Sequence, residues 1–235
     1  MPFTNFAREQ TEIGQKRLAE MLGPDSALSR TRTEVYYYKG RAYASANGRE
    51  IRFSDARSYV HEMGHVLEFN DPNVRVLAQA YRKVRAMDTF DGLTTISGRA
   101  DELGWEDLFF DHYVGRSYAG SSGFDRYDKV YNPTELISMG VERMYRSPAD
   151  LANVDPAFFD WFVDVILPIA SGKQKVPAGG ITEEAAEKIA ARYSALRPKY
   201  RESYAEKLKP KLAGPNASRI TQRISEQSRI SDQSR

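Results

Sequence analysis

The sequence predicts an α+β fold, with a small antiparallel sheet packed on one central helix and a mainly helical C-terminal half. Three observations predict it. Residues 33–54 concentrate β-prone side chains around a hairpin signal. A helix with apolar flanks follows directly, over 55–69. From Asn132 onward the start signals, Asn132-Pro133 and Asp155-Pro156, are helical ones.

Each element has its own warrant. Residues 5–22 read as an amphipathic helix with Phe6, Ile13, Leu18, Met21 and Leu22 as its apolar set, stopped by Gly23-Pro24. Val35-Tyr36-Tyr37-Tyr38 is β-prone, Asn47-Gly48 is a hairpin turn, and Ile51-Arg52-Phe53 alternates apolar with charged. Ser54 or Asp55 caps the central helix, and Asp71-Pro72 opens another over 72–87. Residues 88–131, rich in Gly, Ser, Asp and Tyr, read as a long irregular stretch, of the kind that covers a functional cleft as a lid or a plug. Helices then run from Asn132 to about Tyr145, from Asp155 to Leu167, and, sparsely apolar and highly charged, from Thr182 to Leu212. Beyond Gly214-Pro215, two Arg-Ile-Ser repeats at Arg223 and Arg229 offer nothing to bury, so 214–235 reads as a disordered tail. Four regions result: an N-terminal helical segment 1–32, a central domain 33–170, a charged helix 171–213 and the tail.

Composition narrows the function. Thirty-four basic against 32 acidic residues leave a net charge of +2, which argues against nucleic acid as the main partner. The absence of cysteine removes disulfides and zinc-thiolate sites, so His and carboxylates remain as metal ligands. The N-terminus lacks the apolar run of a signal peptide, and the longest apolar segment, 158–170, is broken by Asp160, Asp164 and Pro168. No membrane partner is expected. Synthesis in the cytoplasm is, with association with a virion or export by a non-classical route as later fates.

The chemistry concentrates in His61-Glu62-Met63-Gly64-His65, an HExxH motif. On a helix, positions i and i+4 share a face, so the two imidazoles can hold one metal ion while Glu62 beside them reaches a water on it. Two of the chain's three histidines are spent here. Gly64 costs about 1 kcal/mol of helix propensity against Ala, which suggests close approach of a strand or of substrate backbone. The plain alternative is an ordinary helix with two solvated histidines.

Zinc chemistry requires a third protein ligand and an open position. Position 68 is Glu68 rather than a chain-turning Gly, so Asp71 is not expected to reach the metal, and no GTxxD motif occurs. Glu135, at the start of an apolar helix in Asn132-Pro-Thr-Glu135-Leu-Ile-Ser138, is the leading candidate. Its alternative role is to complete a capping box with Asn132. Glu142, on the same face, is a second candidate ligand or a carboxylate that accepts from a ligand histidine. His112 is an outside candidate.

HExGHxLE, followed some seventy residues on by NxxE opening an apolar helix, resembles the Glu-ligand zincins. Locally it is similar to the active-site helix of the anthrax lethal factor type of metalloprotease. Asp111–Tyr118 and Thr134–Gly140 also resemble zincin-like domains of phage head-morphogenesis proteins and bacterial toxins, and the similarity covers roughly 33–168. The resemblance implies Zn2+ held by His61, His65 and Glu135, Glu62 as general base, and a tyrosine that stabilises the oxyanion. The lethal-factor pattern places that tyrosine where this chain has Asp128, between Tyr127 and Tyr131; the phage-like pattern points to Tyr118.

The function expected is a zinc metallopeptidase that hydrolyses a protein or peptide substrate through a zinc-activated water. Two alternatives share the scaffold: a catalytically silent phage structural or binding protein, and a toxin or effector protease with one host target. The 214–235 tail is a solvated appendage or a docking segment for a phage or effector-delivery partner.

Overall fold

The computed structural model describes residues 5–45, 47–86, 93–95, 103–105, 109–111, 113–117 and 133–194. The architecture is α+β. Helix α1 (Asn5–Leu22) and a 3₁₀ turn (Ala27–Arg30) lead into strands β1 (Glu34–Tyr37), β2 (Tyr43–Ala44) and β3 (Glu50–Phe53). Helices α2 (Ala56–Asn70) and α3 (Pro72–Ala86) follow, then strands β4 (Leu93–Thr95), β5 (Leu103–Trp105) and β6 (Arg116–Ser117). The C-terminal half is helical: α4 (Leu136–Arg146), α5 (Pro148–Val154), α6 (Pro156–Trp161), a π-helical turn (Phe162–Ile166), α7 (Leu167–Ala170) and α8 (Glu183–Ser194). Among the described residues no helix is long and apolar enough to cross a membrane.

The first sheet is mixed, where the sequence predicts an antiparallel one. β2 and β3 form the expected hairpin around Asn47-Gly48, but β1 pairs parallel to β3, giving the order β1-β3-β2. The apolar pattern explains the order. Ile51 and Phe53 are fully buried, whereas β1 and β2 alternate between exposed and half-buried positions. The strand whose two apolar residues are both fully buried takes the centre and seats its inner face on α2. β2 is left at an edge.

Helix α2 is the hub. Asp55 caps it with a reciprocal box: its carboxylate accepts from the Ser58 N–H while the Ser58 hydroxyl accepts from the Asp55 N–H. Val60, Val66 and Leu67 are fully buried, and α1, α3, α4 and β3 pack around them. Asp71 caps α3 through the N–H groups of Asn73 and Val74. Arg85 of α3 forms a buried ion pair with Asp155 at 2.6 Å and donates to the Tyr81 hydroxyl, which ties α3 to the start of α6.

Two further departures from the sequence expectation have simple causes. Residues 88–131 contain a second, antiparallel sheet of order β4-β5-β6, but strands of two and three residues are too short to show alternation. Helix α5 was signalled by Ser147-Pro148, whose serine accepts from the Asp150 N–H, and the sequence reading passed over it. The expected helix 182–212 is described only as α8, and the tail 214–235 lies outside the described residues.

Candidate metal centre

The site forms where α2 crosses α4. The helices meet at Gly64 and Ser138, so closely that a Cβ on Gly64 would stand 2.5 Å from the Ser138 Cα. Gly64 thus serves close approach, as its cost in propensity suggests, but the neighbour is a helix rather than a strand or substrate. His61 and His65 flank Gly64 on the α2 face, while Glu135 and Glu142 flank Ser138 on the α4 side. One tight crossing thereby assembles four candidate site side chains.

Their geometry is convergent. Glu135 Oε2 lies 3.4 Å from His61 Nε2 and 3.1 Å from His65 Nε2. Ligand-capable atoms of the three residues all lie within 4.8 Å of one another. Glu135 sits at the N-cap position of α4, but its side chain caps nothing; it accepts from the Ser138 hydroxyl at 2.7 Å and faces the histidines. The capping-box role therefore does not apply. Burial works against its negative charge, but the two imidazoles outweigh burial and hold its pKa well below the usual carboxylate range. Burial equally opposes charge on His61, and hydrogen bonds with Glu135 and Glu142 overcome it, lifting its pKa to about 10. His65 is raised for the same reason, mainly by Glu135.

Glu142 takes the outer position, with Oε2 3.0 Å from His61 Nδ1. A carboxylate there fixes the tautomer and turns Nε2 inward as a lone-pair donor. Arg57 holds Glu142 in turn at 2.5 Å. His65 Nδ1, by contrast, is buried with no partner in the structure.

Glu68, three residues past His65, adjoins the site, although its sequence signal serves only to exclude a chain-turning Gly. It is fully buried and accepts from the Thr134 N–H at 2.8 Å and from the Thr134 hydroxyl at 3.1 Å. Thr134 Oγ1 also accepts from the Leu136 N–H, so this clamp fixes the entry to α4 immediately before Glu135. Burial pushes the Glu68 carboxyl up to about 7, against the lowering pull of His65 and Thr134. The signal available was its position: with His61 and His65 inward, i+3 from His65 also faces α4.

Glu62 is nearly buried and borders the cleft beside the histidines. Burial raises its pKa, although His65 and His61 pull it down. Arg41, Ala42, His61, Glu62 and Tyr113 line both halves of this cleft, whose volumes are about 330 and 380 Å³. Ala42, Tyr43 and Ala44 supply one wall, from the edge strand β2 and its approach.

Among the described residues Tyr43 and Tyr113 line the cleft, and Tyr113 is the one that lies beside a histidine ring. Its ring lies 6.3 Å from that of His61, and its hydroxyl oxygen accepts from Arg116 Nη1 at 2.9 Å and from Arg41. Asp111 anchors it, accepting from the Tyr113 N–H and from Arg143 of α4. Burial, then the nearby Glu135 charge, raise the phenol to about 12 despite the two arginines. In the same segment, Asp111–Tyr118, the sequence points to Tyr118 for the oxyanion role. Tyr118, Tyr127, Asp128, Tyr131 and the outside candidate His112 all lie outside the described residues. No protein-family model, no curated protein and no solved structure matches the chain.

Proposed function

We propose that this chain is a zinc metallopeptidase of the Glu-ligand zincin type. The observation that carries the reading is the convergence of His61 Nε2, His65 Nε2 and a Glu135 oxygen in a cleft that Glu62 also borders. Two imidazoles and one carboxylate are a donor set that zinc favours at catalytic sites, with a fourth position left to solvent or substrate. Zinc bound there would supply a Lewis acid that acidifies water and polarises a carbonyl.

The chain's own groups fit the remaining tasks. Glu62, with a carboxyl raised by burial, takes the proton from the attacking water and returns it to the leaving amine. The Tyr113 oxygen accepts from Arg116 and Arg41, which directs its own O–H elsewhere; Tyr113 then donates that proton's hydrogen bond to the developing oxyanion. A phenol raised to about 12 stays protonated, and so remains a donor, across any working pH. The β2 edge beside the cleft suits an extended peptide, which gains main-chain hydrogen bonds by adding to the sheet.

The test is metal content and peptide hydrolysis on wild type, Glu135→Ala and Glu62→Gln. The expected result is one zinc per chain in wild type and in Glu62→Gln, sharply weakened zinc in Glu135→Ala, and cleavage only by wild type. Full cleavage by Glu62→Gln would remove it as the base. Stoichiometric zinc without cleavage of any peptide would favour the binding-protein alternative.

A further inference from the structure

The cleft is electrostatically lopsided. Its 330 Å³ half, towards Phe69 and Pro133, is lined by two guanidinium groups, Arg41 and Arg116, and among the described residues its carboxylates are Glu62 and Glu135. Both of those are committed to the base and ligand roles. The other half carries Asp55, Glu62, Asp111 and Glu142 with Arg41 and Arg57, and there Arg143 holds Asp111 while Arg57 holds Glu142. Two guanidinium groups thus face two carboxylates in the first half and four in the second, so the first is the less acidic of the two.

The two arginines come from different elements, the approach to β2 and the start of β6, yet both donate to the Tyr113 hydroxyl. Arg116 also lies 3.8 Å from Glu135 Oε1, and its side chain is 12% exposed. A substrate held against β2 would lie beside these groups, because Arg41 and Ala42 border both halves of the cleft and Arg116 lines the half that holds Glu135. Arginine presents planar, always-charged donors that match a carboxylate.

Resting on the peptidase reading above, we propose that Arg41 and Arg116 form a carboxylate subsite, so that the preferred substrates carry an acidic group adjacent to the scissile bond on the Phe69–Pro133 side. That group is an Asp or Glu side chain or the peptide's terminal carboxylate. A purely positioning role for the arginines towards Tyr113 would slow all substrates alike. A recognition role changes the ratio between acidic and neutral ones.

The experiment uses the zinc-loaded full chain and a fluorogenic peptide set that compares Asp with Asn and Glu with Gln at each position around the cleaved bond. Every peptide is made with a free and with an amidated C-terminus. We expect kcat/KM for the acidic member to exceed its isosteric amide by roughly tenfold or more, and the ratio to fall towards one in Arg116→Gln and Arg41→Gln. Preference that survives amidation assigns the side chain; preference lost on amidation assigns the chain terminus and an exopeptidase. Cleavage with equal rates for acid and amide, or a preference unchanged in both variants, overturns the subsite and leaves the peptidase reading standing. If zinc binds and nothing is cleaved, that reading fails. Fluorescence anisotropy of the same peptides on Glu62→Gln then decides the subsite alone: tighter binding of acids, lost in the arginine variants, upholds it, and equal binding ends it.

Discussion

Gly64→Ala isolates the crossing on which the site depends. The added Cβ would lie 2.5 Å from the Ser138 Cα and 2.8 Å from Val141 Cγ2. Ordinary contact begins near 3.4 Å, so the shortfall against Ser138 is about 0.9 Å (3.4 − 2.5). The Ser138 Cα is backbone and cannot swing aside, so α4 must retreat and carry Glu135 and Glu142 with it. Overpacking of this kind costs about 1–3 kcal/mol, and the better helix propensity of Ala returns about 1 kcal/mol. Metal-free stability should therefore fall only by ~0–2 kcal/mol. Zinc is far less forgiving, because ligand distances hold to within about 0.2 Å. A retreat near 0.9 Å should weaken zinc by roughly tenfold to a hundredfold or more, a range already reached by disturbing outer-shell partners. The assay is zinc titration against a competing chelator, with urea unfolding of the metal-free protein alongside. Gly179→Ala is the control, since a Cβ there meets nothing within 4 Å. A folded Gly64→Ala protein with zinc affinity within twofold of wild type would refute the account of the crossing.

Three other perturbations separate the roles of neighbouring groups. Tyr113→Phe should keep zinc affinity and KM while kcat drops by about 10²-fold, the usual range for a lost oxyanion donor; steady-state kinetics with unchanged kcat would return the role to another tyrosine. Glu68→Ala should leave the buried Thr134 N–H and O–H unpartnered, cost at least about 1–3 kcal/mol in denaturant unfolding, and weaken zinc because the strap before Glu135 loosens; an unchanged zinc constant would show that the clamp serves folding alone. In metal-free protein, His61 has a pKa raised from 6.5 to about 10, so its contribution to stability is complete below pH 6.5 and is lost as pH rises through 10. Melting temperature in chelator should decline across that window while zinc affinity climbs, since zinc needs the neutral imidazole; a flat chelator series would contradict the coupling of His61 to Glu135 and Glu142.

Much of this site was legible in the sequence because its signals are local. The HExxH spacing places His61 and His65 on one helical face whatever surrounds it, and Asp55, Asp71 and Asp155 cap where short side chains precede helical runs. Glu135 was reachable by elimination, helped by the apolar run that follows it. What escaped was non-local. The parallel pairing of β1 with β3 depends on which strand buries more, and no window of residues compares two strands. Tyr113 reaches the cleft because Arg143 of α4 holds Asp111, a contact across 32 positions. Glu68 looked like the absence of a glycine, and its partner Thr134 lies 66 residues away.

The distribution of the proposed ligands has a thermodynamic consequence. α2 alone carries His61, His65, Glu62 and Glu68, and three of these are paired with residues at or just before α4: His61 and His65 with Glu135, and Glu68 with Thr134. Without metal, the same crossing sets Glu135 between two raised imidazoles, so the helices are held by a proton-dependent ion cluster rather than by apolar contact alone. Metal binding at the proposed site would replace those protons, and its affinity would then include any work of holding α4 against α2. Substitutions that loosen the crossing should therefore depress zinc affinity more than metal-free stability, whereas substitutions at the cleft rim, such as Arg41→Gln, should alter neither.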